Sequence, residues 1–213
     1  YFDPERMGVN PIPNPADGTV DIEYTVAEKP SDQIELSGGW GGGRFVGSLG
    51  LSFTNFSMRN FFEKESWSPL PTGDGQRLSL RGSANIFFQS LSLSFTEPWL
   101  GGKKPTSFSV NAYYSLQKLT QADRGAPDSR TFDVLGASIG LGTRLKVPDD
   151  FFTLYGELGY EYYTLNNYNL LDGFDNGFAN NLSFKVTLSR NSVDQPIYPR
   201  SGSELTLSVK TTA

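Results

Sequence analysis

The sequence predicts an all-β protein, an antiparallel barrel that crosses a membrane with lipid outside its strands and a polar interior. Three observations predict it: an alternation of period two along nearly the whole chain, strands too long for a soluble sheet, and a composition ill suited to a compact core. The 213 residues include 23 Gly and 14% aromatics, while charged residues make up only 19% and the apolar fraction of 37% is low for a buried core.

Residues 131–147 carry the clearest alternation. One set of positions reads Leu135, Ala137, Ile139, Leu141, Leu145 and Val147, interrupted only by Thr143, and the set between them reads Gly136, Ser138, Gly140, Gly142, Arg144 and Lys146. A strand with one apolar and one small or charged face has this period. Eight further segments repeat it. In chain order their apolar faces are Ile34, Leu36, Trp40; Phe45, Leu49, Leu51, Phe53; Leu78, Leu80, Ala84, Ile86; Leu91, Leu93, Phe95; and Phe108, Val110, Ala112, Tyr114, Leu116. After 135–147 follow Phe152, Leu154, Leu158, Tyr160, Tyr162; Leu182, Phe184, Val186, Leu188; and Leu205, Leu207, Val209.

The opposite faces hold Ser90, Ser92 and Ser94, then Ser107, Ser109 and Asn111, then Glu157 and Glu161, then Lys185 and Thr187, so water must reach that side. Several strands run to roughly 10–15 residues, whereas soluble strands average about 5–6 and a tilted membrane strand needs about 9–11. Aromatics gather near strand ends, at Trp40, Phe45, Trp67, Trp99, Tyr113, Tyr114, Phe151, Phe152, Tyr162 and Tyr163, as interfacial girdles do. No apolar stretch approaches the ~20 residues of a membrane helix. A mean hydropathy of −0.36 does not oppose a barrel, because alternating strands average out. The competing architecture is a soluble β-sandwich binding module.

The connections predict orientation. Residues 118–130 and 166–180 are polar and rich in Gly, Asp and Asn, as external loops are, while 96–107, 147–150 and 192–202 are shorter or Pro-rich and read as periplasmic turns. Residues 54–75 form a long link on the periplasmic side, whose SPLPTGDG stretch reads as a flexible excursion.

Several function classes are excluded or disfavoured. A net charge of −5 without a basic run argues against nucleic acid. Without Cys or His there is no thiol chemistry, no His-based acid/base catalysis and no ordinary zinc site. Glu157 and Glu161 face the lumen and could be imagined as paired catalytic carboxylates, but a solvated wall with Arg144 and Lys146 as ion-pair partners explains them better. Asp172, Asp175 and Asn176 lack the spacing and closing Glu of a calcium loop and suit turn chemistry. No enzyme, cofactor or metal is expected.

Residues 1–20 lack a basic start followed by an apolar run, so the chain is expected to begin after any signal peptide. Nine strands are odd for a single-chain bacterial barrel, so an odd number of further strands is expected to follow. Residues 1–30 differ from the rest. They contain YFDPERM, a Pro/Asn linker (NPIPNPADG) and a strand with Val20, Ile22, Tyr24 and Val26 on one face, and they read as the end of a small soluble domain.

YFDPERM, then VDIEYTVAEK, then the Gly-rich IELSGGWGGG resemble the junction between the last POTRA domain and the barrel in the BamA family of outer-membrane β-barrel assembly factors. FTNFSMRNFF resembles the family's turn after its second strand, TEPWLGG the turn after its fourth, and VDQPIYPRSGS the turn before its ninth, so the likeness runs end to end. The insertion FEKESWSPLPTGDGQ is longer than the family's simplest form and is similar to the Bacteroidota versions. The family's Val-Arg-Gly-Phe loop does not occur here, as expected if it lies beyond residue 213.

The resemblance implies residues 1–30 as the end of a periplasmic POTRA domain, and 31–213 as the first nine strands of a larger outer-membrane barrel of about 16 strands. It also implies a function: folding and inserting other β-barrel proteins without ATP, through a lateral gate at the first strand, with unfolded barrel substrates, accessory lipoproteins and outer-membrane lipid as partners. The alternative is a related polypeptide-secretion barrel or channel. The gate residues would be Ile34, Glu35, Leu36, Ser37, Gly38, Gly39 and Trp40. Five glycines, at 38, 39, 41, 42 and 43, offer a physical reason, since Gly contributes no packing and loses more entropy on ordering. An opened first strand would expose unpaired backbone groups beside lipid and capture an incoming strand by β-augmentation. For Gly41, Gly42 and Gly43 the alternative is an ordinary hairpin turn.

Overall fold

The computed structural model describes residues 4–14, 18–27, 32–41, 44–67, 70–102, 105–119, 130–167, 176–195 and 197–213. The chain divides into two compact units, 1–32 and 33–213. In the first, a 3-10 turn at Pro4–Arg6 precedes a hairpin of β1 (Gly8–Asn14) and β2 (Thr19–Thr25), paired antiparallel from Gly8↔Thr25 to Asn14↔Thr19. The stretch expected to be a Pro/Asn linker is therefore largely a strand. Proline is tolerated there because β1 has one partner strand among the described residues, and Pro11 and Pro13, two residues apart, place their missing N–H groups on the same edge.

The second unit is a single sheet of nine antiparallel strands in chain order: β3 (Gln33–Gly41), β4 (Arg44–Phe56), β5 (Gln76–Ala84), β6 (Phe88–Glu97), β7 (Thr106–Leu119), β8 (Arg130–Arg144), β9 (Phe152–Asn166), β10 (Gly177–Asn191) and β11 (Glu204–Thr212). Each expected strand is present, with different ends. Ile86 lies in the β5–β6 turn, and Leu145 and Val147 lie beyond β8 in the turn containing Pro148.

Burial is inverted relative to a soluble protein. On β8 the apolar positions Leu135, Ile139 and Leu141 are 51–56% exposed, while Val134, Gly136 and Gly140 on the other face are buried. The same outward exposure holds for Leu91, Leu93, Leu158, Leu182 and Phe184. Among the described residues only Phe56, Val134 and Leu165 are buried hydrophobics, so no apolar core holds the sheet together. Its stability must come from the backbone ladder and from apolar surface placed in lipid.

The connections fall into two groups. Residues 120–129 and 168–175, including Asp172 and Asp175, lie outside the described residues. Asn176 serves the adjoining turn: its Oδ1 accepts from the Asn167 N–H at 2.7 Å and its Nδ2 donates to Asn167 Oδ1 at 3.1 Å.

At the other end of the sheet, Arg190 donates from Nε and Nη2 to Asp149 Oδ2 at 3.0 and 2.9 Å and from Nη1 to the hydroxyls of Ser192 and Ser203. Its guanidinium also lies 5.7 Å from the ring centroids of Phe151 and Phe152. One arginine thus ties the β8–β9 turn to the β10–β11 turn. Asp194 caps the latter, accepting backbone N–H bonds from Gln195, Arg200 and Ser201, and the bonds from Arg200 and Ser201 hold its carboxyl below the usual range.

The 54–75 link corrects the expectation of a flexible excursion. Among its described residues, Ser57 is fully buried and Pro71 nearly so. Ser57 Oγ donates to Asp74 Oδ2 at 2.6 Å, the Ser57 N–H donates to Pro71 O at 2.9 Å, and the Gly73 N–H donates to Asn55 O at 3.0 Å. Two 3-10 turns, Arg59–Phe62 and Lys64–Ser66, stand on this base. Ser68 and Pro69, which open the SPLPTGDG stretch, lie outside the described residues.

Candidate functional site

The predicted gate residues all lie on β3, paired to β4 from Gln33↔Ser52 to Gly41↔Arg44. Among the described residues β3 pairs on one side only, as β11 does at the opposite end of the sheet. With 9 residues against the 13 of β4, β3 is short. Ile34, Leu36, Gly38 and Trp40 occupy one face, and the three side chains are 74–82% exposed. Glu35, Ser37 and Gly39 occupy the other. Gly41 ends the strand, and Gly42 and Gly43 lie outside the described residues.

The two glycines singled out as weak points differ. A Cβ on Gly38 would lie 3.2 Å from Cζ of Phe45, whose ring also lies against Gly47 opposite, so Gly38 is small because an aromatic covers it. Gly39 has nothing within 4 Å of a Cβ position and so no packing reason to be glycine. Its backbone is paired with Val46.

The sheet beside β3 is thin. On the outward side Leu36, Phe45, Leu49 and Leu91 surround a hollow of about 600 Å³ with Gly47 and Gly82 in its lining. On the polar side Ser37, Ser48, Ser83 and Ser90 stand in register across four strands, with hydroxyl hydrogen bonds between Ser37 and Ser48 at 2.6 Å and between Ser83 and Ser90 at 2.8 Å. Glu35 approaches Arg81 to 3.9 Å over Gly50. Both side chains are about two-thirds exposed (67% and 69%), so this pair contributes little to holding the edge.

The far half of the polar wall is built differently. Glycines on β8 let side chains of β7 and β9 meet over it. A Cβ on Gly136 would overlap the Tyr113 ring, and one on Gly140 would overlap the Tyr155 hydroxyl. Across those gaps Tyr113 O–H donates to Glu161 Oε1 at 2.5 Å, and the hydroxyls of Ser109 and Tyr155 hydrogen-bond at 2.9 Å. Tyr163 and Asn181 donate to Glu161 Oε2, and Tyr155 donates to Glu157 Oε2. The two glutamates are therefore held by tyrosines and an asparagine. Among the described residues no ion pair joins them to Arg144, at the end of β8, or to Lys146, in the turn after it.

Tyr113 and Tyr163, expected in the aromatic girdle, thus face the polar side. Parity carries the signal: Tyr113 alternates with Tyr114, and only one of two adjacent residues can face lipid.

The Omp85 superfamily domain matches residues 72–213, more than half of the chain. The chain belongs to the Omp85 superfamily. A crystal structure of BamA from Haemophilus ducreyi lacking POTRA domains 1–3 is similar in fold, with a TM-score of 0.59 and 22% identity over 98% of this chain. The chain spans 39% of the length of that one. The nine-stranded sheet is thus part of an outer-membrane β-barrel of the Omp85 type, and its exposed apolar face is the face that meets lipid. In this sheet β3 is the first strand, and the β3–β4 pair with its glycines is the candidate site.

Proposed function

We propose that this chain is the barrel entrance of an assembly factor, which folds and inserts β-barrel proteins into the outer membrane through a lateral gate at β3. The observation that carries the reading is the make-up of β3 itself: a strand paired among the described residues to β4, with no side chain filling the space at Gly39 and with Ile34, Leu36 and Trp40 exposed on the outward face. In lipid an unsatisfied backbone group costs several kcal/mol, so an opened edge binds any strand that offers matching N–H and C=O groups. Recognition would be directed mainly at the backbone and would accept many sequences. The BamA likeness supports an insertion role, and on this reading residues 1–30 end a periplasmic POTRA domain. The partners are unfolded barrel substrates and accessory lipoproteins, and no step requires bond-making chemistry.

A disulfide between Gly39→Cys, where a side chain meets nothing within 4 Å, and a cysteine in the strand that closes the full-length barrel tests the gate. The locked protein is expected to fold and reach the membrane but to lose substrate insertion, with activity restored by reductant. Normal insertion by the locked form would contradict the reading. Loss of export of one polypeptide, with barrel insertion unaffected, would favour a secretion barrel instead.

A further inference from the structure

We propose that the β4–β5 link is a membrane anchor, which seats an aromatic tip in the interfacial region of the phospholipid leaflet at that end of the barrel. The proposal rests on the reading that the outward face of the sheet meets lipid. Under the orientation proposed above, the leaflet is the periplasmic one.

The tip exposes what an anchor needs. Phe62 is 87% exposed, and Met58, Phe61 and Trp67 are 39–48% exposed, although they belong to a segment with a fully buried base. They are held in place. Phe61 packs against Phe62 and Trp67 with ring centroids 5.6 and 5.1 Å apart, and the indole N–H of Trp67 donates to Phe61 O at 3.1 Å. The Asn60 N–H donates to Ser57 Oγ at 3.2 Å, and the Met58 N–H donates to Gln76 Oε1 at 2.7 Å. A tip ordered in advance gives up little conformational entropy when it is buried.

Continuity identifies what covers it. Phe95, on the outward face of β6, packs edge-on against Phe56 at 6.3 Å, and Phe56 packs in the same way against Phe61 at 6.3 Å. An unbroken aromatic ladder therefore runs from the lipid-facing band through Phe56 and Phe61 to Phe62 and Trp67. Aromatic rings are favoured at the headgroup level of a bilayer. The charges beside the tip cancel, with Arg59 and Lys64 against Glu63 and Glu65, so attachment comes from apolar burial and does not depend on anionic lipid.

No cysteine occurs among the 213 residues. The full-length protein, with any cysteine elsewhere replaced, would be labelled with an environment-sensitive fluorophore at Phe62→Cys, or separately at Leu93→Cys on the outward face of β6, and reconstituted into phosphatidylcholine vesicles. Both labels are expected to emit in the blue and to resist aqueous iodide. The label at 62 should be quenched most by lipids spin-labelled near the headgroup, and the label at 93 by lipids labelled deeper in the chain, with neither changed by high salt. A water-exposed label at 62 beside a lipid-quenched label at 93 would overturn the anchor alone. Water at both positions would overturn it together with the lipid-facing assignment, and protection at 62 only after accessory proteins are added would overturn it by assigning the tip to a protein partner. None of these outcomes depends on substrate insertion, so the gate stands or falls separately.

Discussion

Ile139→Arg is expected to lower the stability of the membrane-embedded barrel by about 2–4 kcal/mol, the range for a cationic side chain on the lipid face at mid-membrane. Ile139 is central on β8, 51% exposed on the outward face and registered with Val110 and Leu158 on its neighbours, so an arginine there has only lipid around it. Ser138→Arg, one residue away, is expected to be tolerated. Its side chain lies on the polar face beside Asn111, whose Nδ2 donates to Ser138 Oγ at 3.3 Å, and Gly159 stands opposite. Urea midpoints of the two variants in lipid vesicles check this; equal losses at both positions would refute the assignment of faces.

Gly202→Ala is expected to be nearly as damaging, though it removes no contact. Gly202 has φ +102°, and an added Cβ would overlap the carbonyl oxygen of Ser192 and lie 2.7 Å from Cα of Val193. Those are backbone atoms of the same tight turn. The Ser192 N–H donates to Ser203 O at 3.0 Å and the Asp194 N–H donates to Ser201 O at 3.2 Å, so they cannot retreat without opening it. Strain at such a conformation costs about 1–3 kcal/mol and the clash adds to it, so a loss near 3 kcal/mol is expected. Faster trypsin cleavage at Arg200 should accompany it. Gly101→Ala is the control: its φ is +78° but nothing lies within 4 Å of its Cβ position, so only the left-handed strain of about 1–2 kcal/mol applies. Equal effects at 101 and 202 would show that the Ser192 contact is unimportant.

The strands were legible in the sequence because alternation is imposed by the strand itself: a residue's parity decides its face, and lipid on one side with water on the other writes that parity into residue type. Hence Leu135 to Leu141 revealed their strand unaided. Parity also assigns Tyr113 and Tyr163 to the polar wall, but their residue type alone suggested a girdle. The links were illegible for another reason. Residues 54–75 are organised by bonds between distant positions, such as Ser57 with Asp74 and Asn55 with Gly75, and no local pattern announces them. In β1 the prolines hid a strand because proline disfavours strands in general, while an edge position removes the objection. For the gate, sequence located β3 and its glycines, but only the packing of Phe45 separated Gly38, which is covered, from Gly39, which is not.

The central claim is that β3 receives an incoming strand when the gate opens, and site-specific crosslinking tests it most directly. Single cysteines placed in turn at Glu35, Leu36, Ser37 and Gly39 of the full-length protein, and at Ser109 and Asn111 of β7 as controls, would be paired with cysteines along the last strand of a substrate barrel stalled during insertion. Disulfides are expected along β3 in a regular antiparallel or parallel register, moving by one substrate residue for each residue of β3, and absent from β7. Crosslinks no more frequent on β3 than on β7 would contradict the account.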